Sequence, residues 1–451
     1  MKNILVLGAG QSAPFLIHYL LEQAETYDWF VTVGDRDEKL AAARVGDHPR
    51  GGVTYFEVND LALRSSLIKQ ADLVVNLMPP MFQPSIAADC VQSGTHMVSA
   101  SYRDERVRDL DRDAHRNGVL LLAEVGLDPG IDIMSAREII SRVHARGGYV
   151  ESFRSYGSGV PAPDLETNPL RYCITWNPRN VVMSAEYGAQ FLENGQIKIV
   201  PWHKVFAHPW PVEVEGVGLM EAYPNRDSLS YAEVFGLKRV KTMVRGTLRY
   251  PGWCETWLQI VRLGLPNEHI RIPNLAQRSY AEIVEMFLPP AVPGSRLESR
   301  VATYLQISET GRIMDNLRWL GLFSRQPVGI AGQTAADAMI HLLKQKLVLP
   351  PDGRDMVVIV HEIVACYPDE GNRRERIVST FKHFGQPGGF TAMAQTVGLP
   401  AAIAARLILT GELPLTGSHI PTHERVCTAV LRELQREGMR FEEKVEEAKG
   451  E

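Results

Sequence analysis

The sequence predicts an α/β protein with a doubly wound N-terminal domain, a second domain of mixed sheet and helix, and a small helical subdomain. Three observations carry this. Six short β-rich runs alternate with helix-length segments up to Glu124. A glycine-rich turn follows the first run directly. Past Pro129 the pattern changes to aromatic and β-branched runs with many turns, then to mainly helical periodicity.

In order, Ile4–Leu7, Phe30–Val33, Val53–Val58, Leu73–Leu77, Met97–Ala100 and Val119–Glu124 read as strands. Unbroken apolar runs such as Leu73-Val74-Val75 suit a parallel sheet, because right-handed crossovers cover both faces with helices. Ligands bind such sheets at the carboxyl ends of the strands. A helix over Met134–Ala145, closed by Gly147-Gly148, leads to a strand over Tyr149–Tyr156, and mixed sheet is expected to about Leu263. Helices are expected over Ala276–Phe287, Leu317–Phe323 and Ala335–Leu347, then a strand over Met356–Cys366 and a helix over Phe390–Val397 that stops before Leu399-Pro400. The charged end, Phe441–Glu451, is expected to fray.

The 451 residues allow two or three domains, and 45% hydrophobic with 22% charged residues is ordinary for a globular chain. Lys and Arg number 48 against 53 Asp and Glu, a net charge of −5 with no block of one sign, so neither nucleic acid nor an anionic membrane is an expected partner. Five scattered cysteines without a CxxC pair fit a reducing cytoplasm. The N-terminus reads as a strand rather than a signal peptide, and no run of eighteen uncharged apolar residues occurs, so a soluble protein is expected.

Gly8-Ala9-Gly10-Gln11-Ser12-Ala13 is a GxGxxA turn between a strand and a helix. Glycine at Gly8 and Gly10 permits the tight turn and lets backbone amides approach a pyrophosphate, while small Ala13 lets helix and strand pack closely. Asp35 ends the second strand where a ribose-binding carboxylate belongs, which makes this a Rossmann dinucleotide site. Asp35 suits a ribose 2′-hydroxyl and repels a 2′-phosphate, favouring NAD, whereas the adjacent Arg36 is able to pair with that phosphate, so NADP stays open.

Asp128, in Gly126-Leu127-Asp128-Pro129-Gly130, lies at the same carboxyl edge, either facing substrate or capping the next helix. Ser99-Ala100-Ser101-Tyr102 ends the fifth strand there, and Tyr102 is either a proton donor or a rim aromatic. Arg226 in Tyr223–Ser228 and Arg245 with Arg249 in Val244–Tyr250 offer guanidinium groups for carboxylates, or solvated surface charge. His203, His208, His419 and His423 lack partners at ligand spacing, so no metal is expected. GxSxG and P-loop lysine signatures are absent from the sequence.

Together the motifs resemble those of the saccharopine reductase family, the L-glutamate-forming saccharopine dehydrogenases. The matching pieces are GAGQSA at 8–13, EVND at 57–60, SY at 101–102, EVGLDPGID at 124–132, PAPD at 161–164, NPLRY at 168–172, YPNRDS at 223–228, VRGTLRY at 244–250, WLGLF at 319–323 and TAMAQTVGLPAA at 391–402. The resemblance implies NAD(P)-dependent interconversion of saccharopine with glutamate plus aminoadipate semialdehyde, by a homodimer. It implies a Rossmann domain over 1–129, to which about 390–440 returns, an α/β substrate and dimerisation domain over 130–265 and 350–389, and a helical subdomain over 266–349. Saccharopine contacts would come from Ser101, Tyr102, Asp128, Arg226, Thr247, Leu248 and Arg249. Asp128 would stabilise the iminium or amine, and Tyr102 would hydrogen-bond nearby and relay a proton. Cofactor contacts would come from Gln11, Ser12, Ala13, Asp35, Arg36, Glu57, Val58, Met78, Ala100, Ser101, Leu127 and Asn177.

The chain departs from fungal members in two places. It reads Ser155-Tyr156-Gly157 where they carry a cysteine, and Asp35-Arg36-Asp37 where they have Cys-Arg-Thr. The alternatives are a sibling reductase of another amino-acid-derived imine, of the carboxyspermidine type, or a non-catalytic dinucleotide-binding regulator.

Overall fold

The six expected N-terminal strands form one parallel sheet: β1 (Lys2–Leu7), β2 (Trp29–Asp35), β3 (Gly51–Tyr55), β4 (Leu73–Asn76), β5 (His96–Ser99) and β6 (Leu120–Leu122). Their order is β6-β5-β4-β1-β2-β3, with the crossover point between β1 and β4. Ile4, Leu5, Val6 and Leu7 are buried, as are all four residues of β4, as expected of a sheet covered on both faces. A seventh strand, Gly417–His419, adds parallel to β6, with the Gly417 amide donating to the Val119 carbonyl at 2.8 Å. Three residues carry no readable periodicity, so nothing in the sequence announces this strand.

In this computed structural model, residues 1–166, 168–290 and 294–448 are described. It divides into two compact units, Met1–Val150 with Ala365–Glu451, and Glu151–Val364. By contacts the units meet at 150 and 364, whereas the expected domain limits are 129 and 389. The shift arises because helix Ile131–Ala145 packs on helix Glu424–Arg436 within the first unit, where the Cys427 thiol reaches the Met134 carbonyl at 3.3 Å.

Two C-terminal features correct the expectations. The helix expected over Phe390–Val397 runs from Ala392 to Leu409, straight through Pro400. Proline removes one helical hydrogen bond and costs about 3 kcal/mol in an exposed helix. Here burial outweighs it: this helix is long and apolar enough to cross a membrane, yet 94% of it lies buried inside the structure. Gly398 makes the packing possible, since a Cβ there would sit 3.0 Å from the backbone nitrogen of Leu16 in helix Pro14–Ala24. The charged end is also ordered: Phe441–Glu447 pairs antiparallel with Arg373–Phe384. Its glutamates meet cations there, Glu443 pairing with Arg142 at 2.6 Å and Glu442 with Lys382 at 3.4 Å. Lys449–Glu451 lie outside the described residues.

The second unit holds a mixed sheet built from β7 (Tyr149–Pro161), β8 (Ala189–Glu193), β9 (Gln196–Val200), β10 (Trp210–Val214), β11 (Gly218–Pro224), β12 (Arg226–Asp227), β13 (Thr242–Arg249) and β14 (Asp355–Tyr367). Its main order is β10-β11-β13-β7-β14, with β8 branching from β13. The expected helices are present with shifted ends, over Tyr280–Met286, Arg312–Leu320 and Ala335–Lys346. Ser279 and Glu282, and again Thr334 and Asp337, form capping boxes that fix two of the starts.

His361 in β14 is fully buried, with Nδ1 3.0 Å from the Ser155 hydroxyl. Burial, reinforced by the positive charge of Arg245, lowers its pKa from 6.5 to about 3. The folded state thus holds it neutral while the unfolded chain takes up a proton below about pH 6.5. The stabilisation is complete above that pH and is lost as pH falls towards 3. Chemical denaturation between pH 7 and 5 is expected to show a loss approaching roughly 1.4 kcal/mol per pH unit from this group, and His361→Gln to flatten the slope. An unchanged slope in the variant would refute this assignment.

Candidate functional site

The glycine-rich turn leaves β1 through Gly8, whose φ of +103° suits glycine and whose would-be Cβ would press on the Leu77 carbonyl at 3.3 Å. At Gly10 an added Cβ would meet nothing within 4 Å, so its backbone borders open space, as close approach by a pyrophosphate requires. Gln11 is exposed, Ser12 half-buried and Ala13 buried, with the Ala13 amide donating to the Gly10 carbonyl at 3.1 Å just before helix Pro14–Ala24 begins.

Asp35 closes this turn. Its Oδ2 accepts the Ala9 amide at 2.8 Å and its Oδ1 accepts the Asp37 amide at 2.9 Å. The carboxylate therefore ties the ends of β1 and β2 together and keeps its remaining lone pairs for a ligand. Arg36 is exposed, 3.8 Å from Glu57. Glu57 and Val58 follow β3, and Met78 follows β4 with its amide bonded to Asn76 Oδ1 at 3.0 Å. These residues line the carboxyl edge of the sheet, where a dinucleotide belongs.

Ala100, Ser101 and Tyr102 leave the same edge after β5, and Leu127 and Asp128 after β6. Tyr102 Oη donates to Asp128 Oδ1 at 2.9 Å, which joins the two candidate catalytic residues directly. Both are half-buried, and a carboxylate so paired is able to orient a phenol proton and to face a cationic amine. The Asp128-Pro129 peptide is cis. The turn is locked by backbone contacts: the Gly126 amide donates to the Pro129 carbonyl at 3.0 Å, Ile131 to Gly126 at 2.9 Å, and Gly130 to Asp132 Oδ1 at 2.7 Å. A Cβ on Gly130 would lie 2.1 Å from the Gly126 oxygen, so only glycine fits.

The supports behind this pair are not legible in the sequence. Gln83, 1% exposed, donates to the Ser99 hydroxyl at 3.1 Å and accepts the Asp104 amide at 3.1 Å. Glu124 accepts the Arg103 amide at 3.0 Å. Gln83 lies in no motif, and Glu124, though it opens the EVGLDPGID stretch, has no spacing that announces this role.

The second unit carries the arginines and Asn177. Asn177 caps helix Pro178–Val182 by accepting the Arg179 amide at 3.0 Å. Arg226, with φ +51°, is exposed and stacks on Tyr187 with its guanidinium 5.0 Å from the ring centre. Thr247 is half-buried, whereas Leu248 is fully buried and Arg249 only 4% exposed. Strand alternation puts Arg245, Thr247 and Arg249 on one face of β13 and Leu248 on the other. Arg249 Nη1 donates to the Ser158 hydroxyl and the Leu248 carbonyl, both at 2.8 Å, with Tyr172 at 4.7 Å and Trp253 at 5.5 Å from its guanidinium. Burial pushes the Tyr223 pKa up to about 12, against the opposing pull of Arg249. Among the described residues one potential metal-binding group occurs, Glu186, Glu268 and His269, where Glu268 already pairs with Arg179.

Residues 4–122 match the saccharopine dehydrogenase NADP binding domain, and residues 126–439 match the saccharopine dehydrogenase C-terminal domain. The chain is 30% identical over 467 residues to saccharopine dehydrogenase [NADP(+), L-glutamate-forming] of Schizosaccharomyces pombe, covering 99% of each chain. It is 32% identical over 447 residues to the mitochondrial alpha-aminoadipic semialdehyde synthase of Mus musculus, covering 98% of this chain and 47% of that protein. The structure of apo saccharopine dehydrogenase (L-Glu forming) from Saccharomyces cerevisiae aligns with a TM-score of 0.86 at 28% identity, covering 99% of this chain and 100% of that one.

Gly130→Ala is expected to destabilise the protein by more than about 1 kcal/mol in denaturant titration, since alanine at this φ must displace the Gly126 carbonyl. A wild-type midpoint would show that the turn relaxes freely.

Proposed function

Because the chain belongs to the saccharopine dehydrogenase family, we propose that it interconverts saccharopine with glutamate and aminoadipate semialdehyde as an NAD(P)-dependent oxidoreductase acting on a CH–NH bond. The observation that carries this reading is the Tyr102–Asp128 pair, 2.9 Å apart, at the carboxyl edge of a sheet whose first turn is a dinucleotide cradle. The residues fit a nicotinamide dinucleotide: the open side of Gly10 admits a pyrophosphate, and Asp35 stands at the end of β2 for the ribose. When bound, that cofactor supplies or accepts the hydride. The chain's own work is to hold charge and protons. Asp128 faces the substrate nitrogen and stabilises it while positive, Tyr102 orients Asp128 and passes a proton, and Arg226 takes a carboxylate.

For the cofactor, NAD is the proposed preference, although the relative from Schizosaccharomyces pombe is named for NADP(+). Asp35 presents a negative charge where a 2′-phosphate would sit, and the adjacent cation Arg36 already has Glu57 beside it, while Arg44 is turned to the Ala9 carbonyl at 3.5 Å. A homodimer in a reducing cytoplasm completes the proposal; five buried free thiols support the compartment, and the family resemblance supports the dimer.

The test is to incubate purified protein with saccharopine and either NAD or NADP and follow reduced-cofactor absorbance. Turnover is expected with both, at least about tenfold more efficient with NAD, and Asp35→Ser should narrow that ratio. No turnover with either cofactor would overturn the reading, and an NADP-only enzyme would overturn the role given to Asp35. Arg226→Ala is expected to raise the KM for saccharopine about tenfold or more while leaving cofactor affinity nearly unchanged. Equal loss of both would assign Arg226 a folding role instead.

A further inference from the structure

A cavity of about 670 Å³ opens within the first unit between helix Ile131–Ala145, helix Glu424–Arg436 and the ladder of Arg373–Phe384 with Phe441–Glu447. That volume falls in the range of small-molecule sites. No step proposed for the Tyr102–Asp128 pair uses it.

We propose that this cavity binds a small organic carboxylate with an aliphatic body. Its floor is apolar, with Phe381, Leu431 and Met439 each less than a tenth exposed. Four arginines line it with two glutamates, Glu443 and Glu138, and with Glu433 beside Arg436 one positive charge is left in excess. Arg142 is taken by Glu443 at 2.6 Å and Arg436 by Glu433 at 2.5 Å. Arg432 and Arg440 face no carboxylate partner among the described residues; Arg440 Nε gives a single bond, to the Gln435 carbonyl at 3.3 Å. Two cations at the mouth of an apolar cavity suit an anionic head on an apolar stem.

Ser379 supplies the independent observation. It lines the cavity, it is fully buried, and its hydroxyl has no hydrogen-bond partner among the described residues. A buried hydroxyl without a partner costs stability and is rare in native proteins unless a ligand or water completes it. A carboxylate oxygen would accept its proton.

Hexanoate is the probe, titrated calorimetrically into the full-length protein, with hexylamine and inorganic phosphate as comparisons. Hexanoate is expected to bind more tightly than either. Replacing both Arg432→Gln and Arg440→Gln should weaken it at least about tenfold. Ser379→Ala should also weaken it while leaving the ligand-free melting temperature unchanged or raised, because it removes a polar atom that had no partner. The proposal fails if hexanoate shows no binding at millimolar concentration or if the double arginine variant binds it unchanged. It fails equally if phosphate binds as tightly, or if saturating saccharopine and NAD displace hexanoate, which would place it in the site already described. A Ser379→Ala protein that melts lower would show that the hydroxyl is held within the fold, against the proposal.

Discussion

Where the parallel strands of the first unit end, backbone amides lose their ladder partners and must find acceptors elsewhere. The site is built from the answers to that requirement. Asp35 takes the amides of Ala9 and Asp37, Asn76 that of Met78, Glu124 that of Arg103, and Asp132 that of Gly130. Each acceptor fixes a loop end at the carboxyl edge, so the surface offered to a dinucleotide is rigid before any ligand arrives. Preorganisation of this kind lets a few side chains place a reacting carbon well, since little ordering remains to be done on binding.

The second unit answers a different problem, holding positive charge in an apolar setting. Arg249 is enclosed by aromatic rings, and Arg245 lies 4.1 Å from the centre of the Tyr231 ring. Ring faces attract cations without neutralising them, so the charge persists where water does not screen it. His361 stays neutral in the same neighbourhood chiefly because it is buried, and secondarily because a further cation beside Arg245 would be repelled. A net charge of −5 on the chain therefore coexists with positive charge held inside the second unit.

What the sequence made legible was local. Strands β1 to β6 and the GxGxxA turn are short, contiguous and chemically marked, and Asp35 and Asp128 stand where strand-end logic puts them. What stayed hidden depends on partners distant in the chain. Gly417–His419 is a strand only because β6 offers an edge, Phe441–Glu447 only because Arg373–Phe384 receives it, and Pro400 sits inside a helix because the core around it outweighs a lost hydrogen bond. Gln83 supports the Ser101–Tyr102 segment from a position whose neighbours in sequence say nothing of it. Arginine motifs likewise do not reveal depth: Arg226 is exposed and Arg249 buried, though both come from equally suggestive stretches.

The helix Ala392–Leu409 packs against helix Pro14–Ala24 and against β4 and β5, yet the whole of residues 151–391 is made between them and it. On a ribosome adding roughly 5–20 residues per second, that leaves the β4–β5 part of the sheet without this cover for on the order of tens of seconds. The N-terminal strands emerge first and are finished last. Until its own late segment arrives, the newly made chain shows apolar β4 and β5 residues that the finished fold hides.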